Sequence, residues 1–183
     1  MKKLIIALGI VAVAAGVQAA AFNWTSSGTN TAKTFYGSDG TSTIAGMTVY
    51  LLDAATVGQA ELVEGIRGGK TMSDYTTVTS QALDANSRLV AKTFDYGEAG
   101  GNYNFYMAVI DGDNVFVSSS LAASGQASAT VDVKFSGIKT ATQTLNADGA
   151  YAGAGWYQSV PEPTSGLLML LGLAGLALRR RRA

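Results

Sequence analysis

Carboxylates are the side chains in this sequence best placed to move protons or hold a cation, and three pairs lie close together: Asp111 with Asp113, Glu61 with Glu64, and Asp95 with Glu98. Oxygens at alternate positions, as in Asp111-Gly112-Asp113, are how a calcium loop begins. The continuation does not fit one. Val115 holds the next alternate position and Ala122 the twelfth, where a bidentate Glu is needed, so the stretch reads as a hairpin turn. A glycosidase needs two carboxyls about 5 to 10 Å apart across a cleft. Glu61 and Glu64 sit one turn apart on a predicted helix, which reads as a solvated face.

The chain has no histidine and no cysteine. That removes Ser-His-Asp and Cys-His catalysis, His-ligated zinc, thiolate metal sites and any disulfide framework. We therefore expect no catalytic residues, no metal and no cofactor. Aromatic rings supply a different chemistry, stacking on sugars. Of Trp24, Tyr36, Tyr75, Tyr96, Tyr103, Tyr106, Trp156 and Tyr157, the last two are expected to be the most exposed, and Trp156 and Tyr157 are the candidate glycan contacts. The competing reading is that strand aromatics fill the core.

The elements that would carry these groups are strands. Between residues 20 and 159 the composition is Thr, Ser, Ala and Gly with scattered aromatics and no Pro, which favours strands and turns over long amphipathic helices. Strands are predicted over 47–52 and, imperfectly alternating, over 87–96. A hairpin is predicted from a run at 103–110, a turn at 111–114 and a second run at 115–119. Residues 128–138 alternate Val131, Val133 and Phe135 against Asp132, Lys134 and Ser136, one face oily and the other wet. Val57, Leu62, Val63 and Ile66 fall at helical spacing, so one short helix is expected near 55–66, with Asp53 as N-cap and Gly68-Gly69 as stop. Residues 97–101, Gly-Glu-Ala-Gly-Gly, read as a turn, because a phosphate cradle needs a Lys and a strand-to-helix setting that are absent. Residues 146–158 read as a last loop or edge strand. The fold class is mainly β: a single two-layer, β-sandwich-like domain with one short helix, flanked by an N-terminal signal-peptide helix and a C-terminal apolar helix.

The net charge of zero hides an asymmetry, because Lys2, Lys3 and Arg179 to Arg182 are all terminal. Between residues 20 and 160 seven Lys and Arg face twelve Asp and Glu, a balance of about −5. A body of that sign has no attraction for phosphate, so nucleic acid is not an expected partner. Residues 1–19 have two lysines, an apolar run from Leu4 to Val17 and small residues at the end, the pattern of a secretory signal peptide. Cleavage is expected between Ala19 and Ala20, with a cut after Ala21 as the alternative. An uncleaved anchor is disfavoured, since the run falls short of the ~20 residues that span a bilayer.

Residues 160–183 close the chain. Val160, Pro161, Glu162 and Pro163 precede thirteen uncharged residues, 166–178, followed by Arg179, Arg180, Arg181 and Arg182. As a helix the apolar run would extend about 20 Å against a hydrocarbon core of about 30 Å, a short or strained transmembrane helix. Its arginines sit where the positive-inside rule puts a cytoplasmic flank. The prolines keep the preceding strip extended and open to a processing enzyme. These three parts, in this order, resemble the PEP-CTERM sorting signal of exported bacterial proteins. The resemblance covers about 24 residues. It implies an exosortase as processing partner near Pro161-Glu162-Pro163, passage through the inner membrane as an intermediate, removal of the tail, and delivery to the cell surface or extracellular matrix in association with exopolysaccharide. A permanent, uncut C-terminal anchor is the competing reading. The expected function is thus an exported, non-enzymatic surface or biofilm-matrix protein, and the alternative is a carbohydrate-binding module that contacts exopolysaccharide.

Overall fold

The computed structural model describes residues 18–28, 33–112, 114–138, 145–146 and 151–158. The predicted signal-peptide and C-terminal apolar helices lie outside the described residues. Among the described residues, the named elements are ten strands and one α-helix in the order β1 (Ala20–Ser27), β2 (Thr48–Asp53), α1 (Gln59–Arg67), β3 (Thr79–Ala82), β4 (Lys92–Tyr96), β5 (Asn102–Asp111), β6 (Asn114–Val117), β7 (Leu121–Ser124), β8 (Val131–Ser136), β9 (Leu145–Asn146) and β10 (Gly155–Gln158), with a 3-10 turn at Met72–Asp74.

A three-stranded sheet has the order β4-β1-β8 and a larger one the order β3-β2-β5-β6-β10-β9. β1 alternates Ala20, Phe22 and Trp24, all buried, with polar or small residues facing out. It pairs antiparallel with β4 and parallel with β8. β8 keeps the alternation read from its sequence, with Val133 and Phe135 buried and Asp132, Lys134 and Ser136 exposed.

β5 is the axis of the large sheet, because its run of apolar residues can be buried on both faces at once. One face, Phe105, Met107 and Val109, packs against β1 and β8, together with Val49 and Leu51 of β2, Phe116 of β6 and Trp156 of β10. The other face, Tyr106 and Ala108, packs with Val115, Val117 and Tyr157 beneath Leu62, Val63 and Ile66 of α1. Rings concentrate where the sheets meet: Phe105 lies 5.2 Å from Phe22, 5.9 Å from Phe94 and 5.6 Å from Tyr96, edge-on in each case. The helix is therefore more than a crossover. It forms a third layer, burying the outer face of a central sheet that a two-layer sandwich would leave wet.

β5 and β6 form the predicted hairpin, with Gly112 at φ 57 supplying the left-handed conformation that a tight turn demands. Past Val117 the register slips by one residue before β7 resumes pairing with β5, Val117 facing Ala108 and Leu121 facing Phe105. Ser118 seals this bulge, its N–H donating to the Met107 carbonyl at 2.9 Å and its hydroxyl accepting from the Met107 N–H at 2.8 Å. Bending here lets β6 continue to β10 while β7 turns toward β8.

The helix begins later than its spacing predicts. Asp53 does not cap it but folds the turn before it, accepting from Ala55 N–H at 3.0 Å through its carboxylate and from Thr56 N–H at 2.9 Å through its carbonyl. Extended Gly58 is the N-cap, and Gly68 is the C-cap as expected. The strand predicted over 87–96 is confined to β4, because residues 84–88 are taken up by a turn in which Asp84 accepts from the N–H groups of Asn86 and Arg88, both at 2.8 Å.

Candidate functional site

The two ends of the body are where the sequence places function, and each is anchored differently. At the C-terminal end of the body, β10 is an interior strand between β6 and β9, where a last loop or edge strand was expected. Gln158 faces Asn114, the first residue of β6, beside the Asp111 end of β5. Arg67, at the C-terminal end of α1, donates its Nε–H to the Gln158 carbonyl at 2.9 Å. The arginine side chain is 9% exposed and only 3.9 Å from Glu64. A guanidinium thus closes the last carbonyl before the tail, with the apolar stem packed on the sheet.

Trp156 and Tyr157 are 1% and 0% exposed, so neither presents a ring to a glycan. The expectation fails because β10 is buried on both faces: Trp156 points into the inter-sheet core, 5.5 Å from Phe116, and Tyr157 into the helix-side core. The Tyr157 hydroxyl donates its proton to the Gly153 carbonyl at 2.5 Å and accepts from Ala152 N–H at 3.0 Å, both partners within the fold. Most of the other rings follow the core reading: Tyr75 packs partly buried against the helix-side core, while Tyr36, half-buried, belongs to neither core. Trp24 and Tyr106 are fully buried, and Tyr96 and Tyr103 pack partly buried against the inter-sheet core.

At the N-terminal junction Ala19 is exposed and Ala20, the next residue, is 0% exposed as the first residue of β1. Ala20 faces Tyr96 and Ala21 faces Asp95. Gln18 belongs to the same end: its carbonyl accepts from Ala99 N–H at 2.9 Å, in the turn 97–101 that leads into Asn102 of β5. That turn wraps the Tyr103 hydroxyl, which donates to the Glu98 carbonyl at 3.0 Å and accepts from the Glu98 N–H at 2.6 Å.

The carboxylate pairs do not converge on a reaction centre. Glu61 and Glu64 are exposed on α1, as a solvated helix face would be. Asp95 lines a shallow groove of about 370 Å³ with Gln18, Gln126 and Thr130, and Glu98 is not among its walls. Asp111 accepts from the Ser38 N–H and hydroxyl at 3.2 and 3.3 Å, tying the 37–42 loop to the hairpin. Asp113 lies outside the described residues. In the same loop the Ser42 hydroxyl and the N–H groups of Thr41 and Ser42 hold the Asp39 carboxyl down at about 2. Tyr106 is shifted the other way: burial, then the negative charge of Glu61, raises its phenol, whose hydroxyl donates to the Val57 carbonyl at 2.9 Å. Both are the chemistry of fold maintenance. Among the described residues no group of three or more His, Cys, Asp or Glu side chains is arranged to hold a metal ion.

Sequence reading missed Arg67 and the whole of β1. The Phe22 and Trp24 alternation was the available signal for β1, while nothing local links Arg67 to a strand 91 positions later.

The fold defines a class: a small β-rich, three-layer body whose first and last described residues, Gln18 and Gln158, are both hydrogen-bonded into it. Comparison with known families then finds one match, residues 159–182 with the PEP-CTERM protein-sorting motif. It starts one residue after β10 ends. No curated protein and no solved structure matches the chain. The motif marks an exported protein sorted by an exosortase at the membrane on the way to the cell surface. Among the described residues no helix is long and apolar enough to cross a membrane. Val160, Pro161, Glu162, Pro163 and the cluster from Arg179 to Arg182 lie within the matched span and outside the described residues.

Proposed function

We propose that this chain is a non-enzymatic protein of the cell surface or its polymer matrix, released from the inner membrane when an exosortase removes the tail at or near Pro161-Glu162-Pro163. The observation that carries this reading is the adjacency of the sorting motif, residues 159–182, to the last strand of a folded body ending at Gln158. The described body from Ala20 to Gln158 stops where the motif begins. The non-enzymatic part is supported by the carboxylates: those with buried or bonded oxygens hold loops together, and Glu61, Glu64, Asp95 and Glu98 are exposed without a shared cleft. Signal cleavage after Ala19, in preference to Ala21, is supported by β1, which needs the buried Ala20 and the rungs to Tyr96 and Asp95. Replacing Pro161-Glu162-Pro163 by three alanines is expected to trap full-length precursor in the inner membrane, read by fractionation and by mass spectrometry of the C-terminus. Normal trimming and surface display of that variant would remove the triplet as the recognition element.

A further inference from the structure

The cut expected after Ala19 makes Ala20 the first residue of the processed chain, and the fold already holds that residue still. Ala20 faces Tyr96 across the ladder and is 0% exposed, and a Cβ added to Gly125 would lie 2.5 Å from its methyl. The α-ammonium that cleavage creates therefore sits on a fixed strand end. The uncut chain secures this end differently, through the 2.9 Å bond from Ala99 N–H to the Gln18 carbonyl, and cleavage deletes that bond.

Asp95 stands one rung further in, opposite Ala21. Facing side chains on one sheet surface have Cβ atoms about 5 Å apart, and the Ala20 nitrogen lies roughly one more residue rise, about 3.3 Å, along β1. Asp95, Ala19 and Ala21 border the same groove, so departure of Gln18 and Ala19 opens the nitrogen onto it. An Asp95 rotamer leaning toward the strand end then closes the gap to the roughly 4 Å of an ion pair. The surrounding charges leave this carboxylate to the terminus. No lysine or arginine lines the groove, and Gln126, Ser128 and Thr130 among its walls are uncharged. Lys92 of β4 donates to the Ser80 carbonyl at 2.6 Å, and Lys134 of β8 is paired with Asp132 at 2.7 Å. Tyr96 donates to Asp53, its phenol raised by burial, and Glu98 of the 97–101 turn is exposed and not among the groove's walls. Asp95 itself is exposed and, among the described residues, its side chain makes no hydrogen bond or ion pair.

We infer that Asp95 is the receptor for the processed amino terminus: once the bond after Ala19 is cut, the Ala20 α-ammonium pairs with the Asp95 carboxylate, and the Gln18–Ala99 bond of the uncut chain gives way to a charge pair that only the processed chain possesses. This rests on reading Ala19–Ala20 as the cleavage point. A cut after Ala21 would discard the rungs from Ala20 to Tyr96 and from Ala21 to Asp95 together.

The processed protein, recovered from the cells that export it, supplies the test. Mass spectrometry reads its first residue, and NMR follows the Ala20 methyl resonance of the 13C-labelled protein as the α-amino group titrates. An ordinary α-amino group titrates at about 7.7–8.0, and this one is expected at least about half a pH unit higher. Asp95→Asn is expected to return it to the ordinary range, and Glu98→Gln to leave most of the rise in place. Asp95 is exposed and unbonded, so its substitution leaves the fold standing. Stability gives a second readout. An amine raised by folding stabilises fully below its unfolded value and loses that contribution as pH rises through the folded one, so the urea midpoint should fall between about pH 8 and 9 in the unaltered chain and fall less in Asp95→Asn. An Ala20 terminus that titrates in the ordinary range would overturn the inference and leave the cleavage point intact, as would a rise that disappears with Glu98→Gln and survives Asp95→Asn. A processed chain that begins at Phe22, or one that keeps Met1, would overturn the cleavage reading and the inference with it.

Discussion

Arg67 and Gln158 meet at 2.9 Å, guanidinium to backbone carbonyl, at the point where the body ends and the sorting signal begins. The contact joins the outer layer of the sandwich to the last strand of its central sheet. It holds the end of β10 in place, because Gln158 cannot peel from β6 without losing it.

Arg67→Ala is expected to lower stability by about 1.5–3 kcal/mol, the range for a hydrogen bond to a charged group plus loss of the packed stem. Glu64 adds little to the arginine's value, being 55% exposed and 3.9 Å away. Thermal unfolding of the purified protein should show the melting temperature falling by roughly 4–10 °C. A change under 1 °C would mean that the contact does not hold the exit.

Phe105 is fully buried and touches the rings of Phe22, Phe94, Tyr96 and Tyr103. Removing it empties the junction of the two sheets. Phe105→Ala should cost about 3–5 kcal/mol, and Phe105→Leu should recover more than half of that loss in urea midpoints.

At Gly97, φ is 58 and an added Cβ would sit 2.1 Å from the Tyr103 hydroxyl. A left-handed residue cannot take a side chain cheaply, and here the occupant is a ring hydrogen-bonded to the same turn. Gly97→Ala is expected to destabilise by at least about 2 kcal/mol, with hydrogen exchange at Ala99 and Gly101 accelerated more than exchange in α1.

Asp39 and Tyr106 are shifted in opposite directions, each with its own pH window. The Asp39 pKa is depressed from 3.8 to about 2 by the Ser42 hydroxyl and the loop amides. Its contribution is complete above the unfolded value and fades as pH falls from 3.8 toward 2, so the 37–42 loop amides should begin to exchange faster only within that window. Asp39→Asn should abolish this pH step. Tyr106 is raised above 10 by burial, so its contribution is complete below pH 10 and is lost as pH rises past it. Tyr106→Phe strands the Val57 carbonyl and should cost about 1–2 kcal/mol at neutral pH. It should also make stability between pH 10 and 11 less steeply pH-dependent, read as urea midpoints across that range.

The sequence by itself determined the parts whose information is local. Alternation in β8, the Asp-Gly turn of the β5–β6 hairpin, the Gly68-Gly69 stop and the three-part C-terminal signal are each legible within about two dozen residues, because period, turn chemistry and charge order act between near neighbours. The same local reasoning misplaced Trp156 and Tyr157, since a strand's side chains are exposed or buried according to what covers each face. Only tertiary structure decided that α1 roofs one face of β10 while β1 and β8 close the other, that β1 pairs parallel with a strand more than a hundred residues away, and that Gln18 and Gln158 lie at opposite ends of β5. Those outcomes depend on long-range burial and on strand pairing through backbone groups, which are chemically the same at every position, so no residue type announces them in advance.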